Sequence, residues 1–307
     1  MRALVATGNA QIPLEMREVD EPSAAAGESV VEVRAVSINR GELRLLASRP
    51  SGWRPGQDIA GVVVRAAADG SGPPVGSRTV GLVDQAGWAQ RVGVPASRMA
   101  VLPEGVSFAQ AATLPVAGLT ALRALRLGGT LLGRSVLVTG ATGGVGHLAV
   151  QLAARSGARV TGISRTPEGG KALLQAGDVE LATDIQALSG PFDLILESVG
   201  GQSLTAALRL VGRDGTVAVF GNSSGEDSAV SFGVFGGHPH AKLYAFFVYE
   251  SGEPPTFGAD LGLLAREVAA GRLQPKVGLE VSWRDPTRAL EALRQRNLEG
   301  KAVLTID

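Results

Sequence analysis

One stretch, Leu137–Gly146 (LVTGATGGVG), limits the fold of this chain more than any other. The apolar run Ser135–Thr139 leading into it is strand-like, and beyond it Val145, Leu148, Ala149, Leu152 and Ala153 recur at helical spacing, with Gly157 as the stop. A glycine-rich turn between a strand and a helix is the opening of a βαβ unit that holds a dinucleotide. Read from Ala141 the turn is A-x-G-x-x-G, one glycine short of the dinucleotide fingerprint; read from Thr139 it is T-G-x-x-x-G-x-G. Without a Cβ at Gly143 the backbone can approach a pyrophosphate, and Gly146 lets the helix pack close to the strand. The helix start offers free N–H groups and a partial positive charge to phosphates.

The flanks continue the pattern. Arg159–Ser164, Asp193–Glu197, Thr216–Phe220 and Leu243–Val248 read as strands, with helices predicted over Lys171–Ala176 and Ser203–Val211 and a further one, Val116–Leu127, ahead of the glycine turn. Alternating strands and helices predict a parallel doubly wound sheet. Before it the chain is mostly β: Val30–Ile38 alternates over its first half, Ile59–Ala67 is a buried-strand run and Gly87–Val94 alternates again, with Pro- and Gly-rich turns between. After Pro254–Pro255 come a helix (Leu261–Ala270), a strand (Leu279–Trp283), a helix (Pro286–Arg296) and a strand (Ala302–Ile306). These are too few to fold alone, so they are expected to complete the first domain. The expected division is 1–114 with 251–307, and 115–250.

Composition removes several classes. The 307 residues carry 29 basic and 29 acidic side chains without basic clusters, which argues against nucleic acid as a partner. No apolar run reaches the roughly 18 residues that span a bilayer, and the N-terminus does not read as a signal peptide, so a cytoplasmic protein is expected. There is no cysteine, which excludes disulfides, thiolate catalysis and cysteine-ligated zinc. Of the three histidines only His238 and His240 are near each other, and no metal site is expected.

At the end of the second strand of the βαβ unit an NAD site places Asp or Glu, about 20 residues beyond the glycines, against the ribose hydroxyls. Here that position is Ser164, followed by Arg165 and then Lys171. Loss of a carboxylate and gain of cations suit the extra phosphate of NADP, and NADPH is the expected cofactor.

With these residues in place the chain resembles the medium-chain dehydrogenase/reductase superfamily, in its zinc-free quinone oxidoreductase (zeta-crystallin-like) branch. The resemblance runs over essentially the whole length, through Ser37–Leu43, Pro55–Val63, Thr113–Leu125, Thr139–Ala153, Phe192–Gly200, Val219–Gly225 and Gly300–Leu304. Each stretch is weak by itself; their order is what is specific. A short-chain reductase would carry its glycine motif near the N-terminus and a Tyr-x-x-x-Lys downstream, whereas Tyr244 and Tyr249 are followed four residues on by Val248 and Glu253. The implied fold is α/β, with a doubly wound parallel Rossmann sheet inserted in a discontinuous, mostly β GroES-like catalytic domain.

Where zinc-dependent members have a Cys, a His–Glu pair and a second Cys, this chain has Asn39, Gln57–Asp58 and Val116. Alcohol oxidation needs that Lewis acid to stabilise an alkoxide. Reduction of a quinone or an α,β-unsaturated carbonyl does not, because the acceptor is itself electrophilic. The resemblance implies Asn39 beside the nicotinamide ribose or substrate oxygen, Thr120 near the cofactor, Gly143, Gly144, Val145 and Gly146 at the pyrophosphate, and Val199, Phe220, Gly221 and Asn222 at the nicotinamide end. Arg296 or Lys301 would reach the cofactor from the other domain. By residue type Tyr249, Tyr244 and His238 are candidate proton donors. A tyrosine common near the substrate is replaced here by Arg44-Leu45-Leu46, and one common at the adenine is missing near Leu181–Ile185. The expected partners are a small quinone or enone and a second copy in a homodimer. Two alternatives stay open: an enoyl reductase of polyketide or fatty-acid assembly, and a nucleotide-binding protein without turnover.

Overall fold

The computed structural model describes residues 1–251 and 256–307, so the Pro254–Pro255 pair lies outside the described residues. The chain forms two compact units, Met1–Leu119 with Glu253–Asp307, and Thr120–Gly252.

The first unit opens with strands β1 (Arg2–Ala6) and β2 (Leu14–Glu18), an antiparallel pair. There follow β3 (Glu28–Ile38), helix α1 (Arg40–Ser48), β4 (Asp58–Arg65), β5 (Arg78–Leu82), β6 (Arg91–Pro95), β7 (Met99–Val101) and the short α2 (Phe108–Ala112). Helix α3 (Pro115–Arg126) leads into the second unit, which holds β8 (Ser135–Val138), α4 (Gly146–Arg155), β9 (Arg159–Ile163), β10 (Val179–Ala182), β11 (Phe192–Glu197), α5 (Gly201–Leu210), β12 (Val211–Val219) and β13 (Lys242–Ala245). The chain then returns with α6 (Phe257–Ala269), β14 (Val277–Ser282), α7 (Pro286–Arg294) and β15 (Lys301–Thr305).

Those last strands belong to the sheet of the first unit. Its order is β14-β15-β3-β4-β5-β7, with β6 also on β3, and β15 runs antiparallel to β3 with Leu304 opposite Val36. One apolar core takes in Leu4, Val31, Ile59 and Trp88 from the first segment and Trp283 and Leu304 from the return. Strand β3 explains why alternation fades along Val30–Ile38. Its register against β4 slips between Val33 and Ala35, so Ala35 and Val36 are both buried.

In the second unit a six-stranded sheet has the order β10-β9-β8-β11-β12-β13, and every pair in it is parallel. The chain winds outward from β8 to β10, then crosses back to β11 and winds the other way. The architecture is the one expected: a doubly wound parallel Rossmann sheet inserted in a discontinuous, mostly β GroES-like unit. The order reverses between β8 and β11, and a crevice opens at the carboxyl ends of strands at such a switch point.

Several elements differ from their sequence reading. Lys171–Ala176 forms 3-10 turns rather than an α-helix, bounded by Gly170 and Gly177, both at positive φ. The strand expected at Gly87 starts at Arg91, with only Ala89 bridging to Ala3 before it. Leu243–Val248 is strand only to Ala245; β13 is the sheet edge, without a neighbour to extend it. Helix α5 gives way directly to β12 at Val211, five residues before the strand was expected.

Candidate active site

At the switch point the glycine turn is built by close packing. A Cβ on Gly146 would lie 2.2 Å from Gly140 O and 2.8 Å from Ala141 Cα, so only glycine lets α4 start there. No side chain caps α4 at Val145. His147 is buried in its first turn and its Nδ1–H donates to Gly143 O at 2.8 Å, which requires that tautomer. This histidine holds the shape of the turn. It carried no role in the sequence reading, although an i, i+4 relation to Gly143 was visible.

The adjoining turn after β11 is organised by a residue that motif reasoning also missed. Glu197 is fully buried, and its carboxylate accepts from Val199 N (3.0 Å), Gly200 N (3.0 Å), Ser203 Oγ (2.9 Å) and Thr139 Oγ1 (3.1 Å). A charge out of water needs such a complement of donors. The effect is to tie the end of β8 to the start of α5 and to fix Val199. After β12, Phe220 N donates to Glu197 O at 3.0 Å, and the Asn222 amide is engaged inside its own loop, with Glu226 O and Gly225 N each at 3.0 Å. Phe220, Gly221 and Asn222 therefore stand beside Val199 at neighbouring strand ends.

On the other side of β8, Ser164 follows β9; it is buried, and its hydroxyl donates to Thr166 O at 2.8 Å. Arg165 and Lys171 are exposed. Ser164, Thr166, Pro167, Leu181, Thr183 and Asp184 line a cavity of about 390 Å³ at this end of the sheet. Glycines without room for a Cβ at the turn, and a cavity beside Ser164, suit a bound dinucleotide. Thr120 is buried on α3, and Tyr249 is part-exposed in a short 3-10 turn, Val248–Glu250. Tyr244 is exposed on β13, and His240 pairs with Asp214 at 2.9 Å on the surface.

The first unit holds a buried polar cluster. Asn39 ends β3 and caps α1. Its Nδ2 donates to Asp58 Oδ2 at 2.9 Å, and its Oδ1 accepts from the ammonium of Lys301. Lys301 Nζ is also 3.2 Å from Asp58 Oδ2, while Asp58 Oδ1 accepts from Val116 N at 2.8 Å and Oδ2 accepts from Ser37 Oγ. Lys301 is only 3% exposed. Arg296 is exposed at a positive φ of 57° beyond α7. Glu42 completes the cluster: Asn39 N donates to its Oε2 at 2.8 Å. Burial, and secondly the nearby charge of Asp58, push its pKa up to about 8. Asn39, Asp58 and Val116 are three of the positions that the resemblance sets against zinc ligands. In this chain they hold one another through hydrogen bonds around an ammonium, and no group of three His, Cys, Asp or Glu able to hold a metal occurs among the described residues.

Comparison with known proteins finds the same fold. A zinc-binding dehydrogenase family model matches residues 144–265. The fold matches that of Escherichia coli quinone oxidoreductase complexed with NADPH with a TM-score of 0.87, at 24% identity and with 100% of both chains covered. These matches support a quinone oxidoreductase-like protein of the medium-chain dehydrogenase/reductase type. The chain contains no cysteine. Among curated relatives, a spectinabilin polyketide synthase system protein of Streptomyces orinoci is 33% identical over 303 residues, 93% of this chain but only 14% of that protein. Acryloyl-coenzyme A reductase of Metallosphaera sedula is 25% identical over 99% of this chain and 100% of its own length. No helix among the described residues is long and apolar enough to cross a membrane.

Proposed function

We propose that this protein is an NADPH-dependent, zinc-independent reductase that delivers hydride to a quinone or an α,β-unsaturated carbonyl. The observation that carries the reading is the pairing, in one chain, of a glycine turn at a Rossmann switch point with a catalytic unit whose metal-ligand positions are an Asn39–Asp58–Lys301 network.

Gly143, Gly144, Val145 and Gly146 would hold the pyrophosphate, with Ser164, Arg165 and Lys171 at the 2′-phosphate and Val199, Phe220, Gly221 and Asn222 at the nicotinamide. Arg296, exposed beyond α7, is assigned to the cofactor, and Lys301 to holding Asn39. The bound cofactor supplies hydride, and a proton follows from solvent or a nearby donor. Asn39 carries two N–H bonds; one goes to Asp58, leaving the second for an acceptor oxygen or the ribose. Thr120 and Tyr249 are hydroxyls of the second unit assigned to catalysis. A conjugated acceptor is already electrophilic, so an oriented amide can replace a Lewis acid.

A second reading has its own support. The polyketide synthase relative matches over 93% of this chain, which favours an enoyl thioester of polyketide or fatty-acid assembly over a free enone. The exposed edge strand β13, with Leu243 and Tyr244 on it, supports a homodimer formed edge to edge. A cytoplasmic location goes with both readings.

The test is steady-state oxidation of NADPH, and separately NADH, against para- and ortho-quinones, 2-alkenals and an enoyl thioester. Turnover with NADPH preferred supports the proposal, and the best acceptor selects between the readings. Tight NADPH binding without turnover on any acceptor would leave a nucleotide-binding protein.

A further inference from the structure

Four buried side-chain polar atoms lack a hydrogen-bond partner among the described residues: Ser29 Oγ, Glu42 Oε1, Arg54 Nε and Trp88 Nε1. Three of them flank one short segment of the first unit, Arg54-Pro55-Gly56. Arg54 is on it. Trp88 packs onto it, since a Cβ on Gly56 would lie 2.3 Å from Trp88 N and 2.5 Å from Trp88 Cδ1, the atom next to Nε1 in the indole ring. The Gly56 amide lies against the Glu42 carboxylate. The segment is held rigidly: Ala86 N donates to Arg54 O (2.9 Å), Trp88 N to Pro55 O (3.1 Å) and Gly87 N to Gly56 O (3.0 Å). Two residues further on, Asp58 joins Asn39.

Native structures leave few buried polar groups unpaired, and each calls for a reason. The guanidinium of Arg54 is part-buried, with its Nε desolvated and no carboxylate among the described residues paired with it, and this burial draws its pKa below the usual arginine value. The planar N–H fork of arginine is matched by a carboxylate or phosphate. Glu42, held largely neutral by its burial, does not fill that role or repel an anion that does.

We propose that Arg54 is a specificity-determining residue that binds an oxyanion carried by the acceptor, so that the physiological substrate is an anionic conjugated carbonyl. This rests on the reductase reading above. The oxyanion is either a carboxylate on the acceptor itself or a phosphate on a thioester carrier.

The experiment compares matched acceptors with and without the anion: 4-oxo-2-pentenoate against 3-penten-2-one, and crotonyl-coenzyme A against the crotonyl thioester of ethanethiol. The readout is the ratio of kcat/KM within each pair, for the wild type, Arg54→Met and Arg54→Lys. Arg54→Met is expected to lower the ratio at least tenfold in one pair, and that pair identifies the oxyanion; Arg54→Lys, which keeps the charge and loses the fork, is expected to fall between. An unchanged ratio in both pairs overturns the proposal. If no acceptor is reduced, the reductase reading fails, and calorimetric binding of 4-oxo-2-pentenoate and crotonyl-coenzyme A to the same proteins decides Arg54 separately. Affinity at least tenfold weaker in Arg54→Met sustains the anion site, and equal affinity, or no binding to the wild type, overturns it.

Discussion

Lys301 and Asp58, 243 residues apart in sequence, meet at 3.2 Å inside the first unit with both side chains almost fully out of water. The contact joins the returning segment, through β15, to the start of β4, and Asn39 bridges the two. Breaking a buried ion pair from one side strands the other charge, at a cost of about 3–5 kcal/mol. Lys301→Met should therefore lower unfolding stability by that order in urea denaturation. The double variant Lys301→Met/Asp58→Asn should recover part of the loss. If the two losses simply add, the pair is not coupled.

Glu42 sets a pH dependence. Its pKa is 4.5 in the unfolded chain and about 8 in the fold. A raised pKa means that the fold favours the protonated form: the stabilisation is complete below the unfolded value and is lost as pH rises through about 8. At about 1.4 kcal/mol per unit the loss is on the order of 5 kcal/mol at most. Glu42→Gln should flatten the stability profile between pH 5 and 9, with its advantage over the wild type greatest at pH 9. A wild-type profile no steeper than that of Glu42→Gln would remove Glu42 as the cause.

At the glycine turn, Gly146→Ala forces a Cβ to 2.2 Å from Gly140 O. The turn must open, so the variant should bind NADPH at least tenfold more weakly by fluorescence titration. His147→Ala removes the 2.8 Å bond to Gly143 O, worth about 1 kcal/mol net. It should weaken NADPH binding several-fold with a small loss in Tm.

Arg165→Ala tests the cofactor assignment. A charge-assisted hydrogen bond contributes about 1.5–3 kcal/mol, so the KM for NADPH should rise roughly ten- to a hundredfold while that for NADH stays nearly constant. Equal effects on both would sink the phosphate assignment.

Local pattern was enough for the nucleotide-binding half of this protein. Helix and strand periods, and glycines whose positions depend on their near neighbours in the chain, identify the βαβ unit and its turn from the sequence, because the contacts involved span only a few residues. Gly143 and Gly146 are legible in this way, and so is the Ser164–Arg165 departure from an acidic residue. The family resemblance likewise singled out Asn39 and Lys301.

Their partnership belongs to tertiary structure alone. That Lys301 is turned inward onto Asn39 and Asp58, that Glu197 gathers four donors at the switch point, and that Trp88 and Glu42 flank the Arg54 segment all depend on which strands neighbour one another and on what burial does to a charge. The sequence determined which groups this protein possesses and the order of its elements. The fold decided which charges lost their water, and therefore which side chains had to find one another.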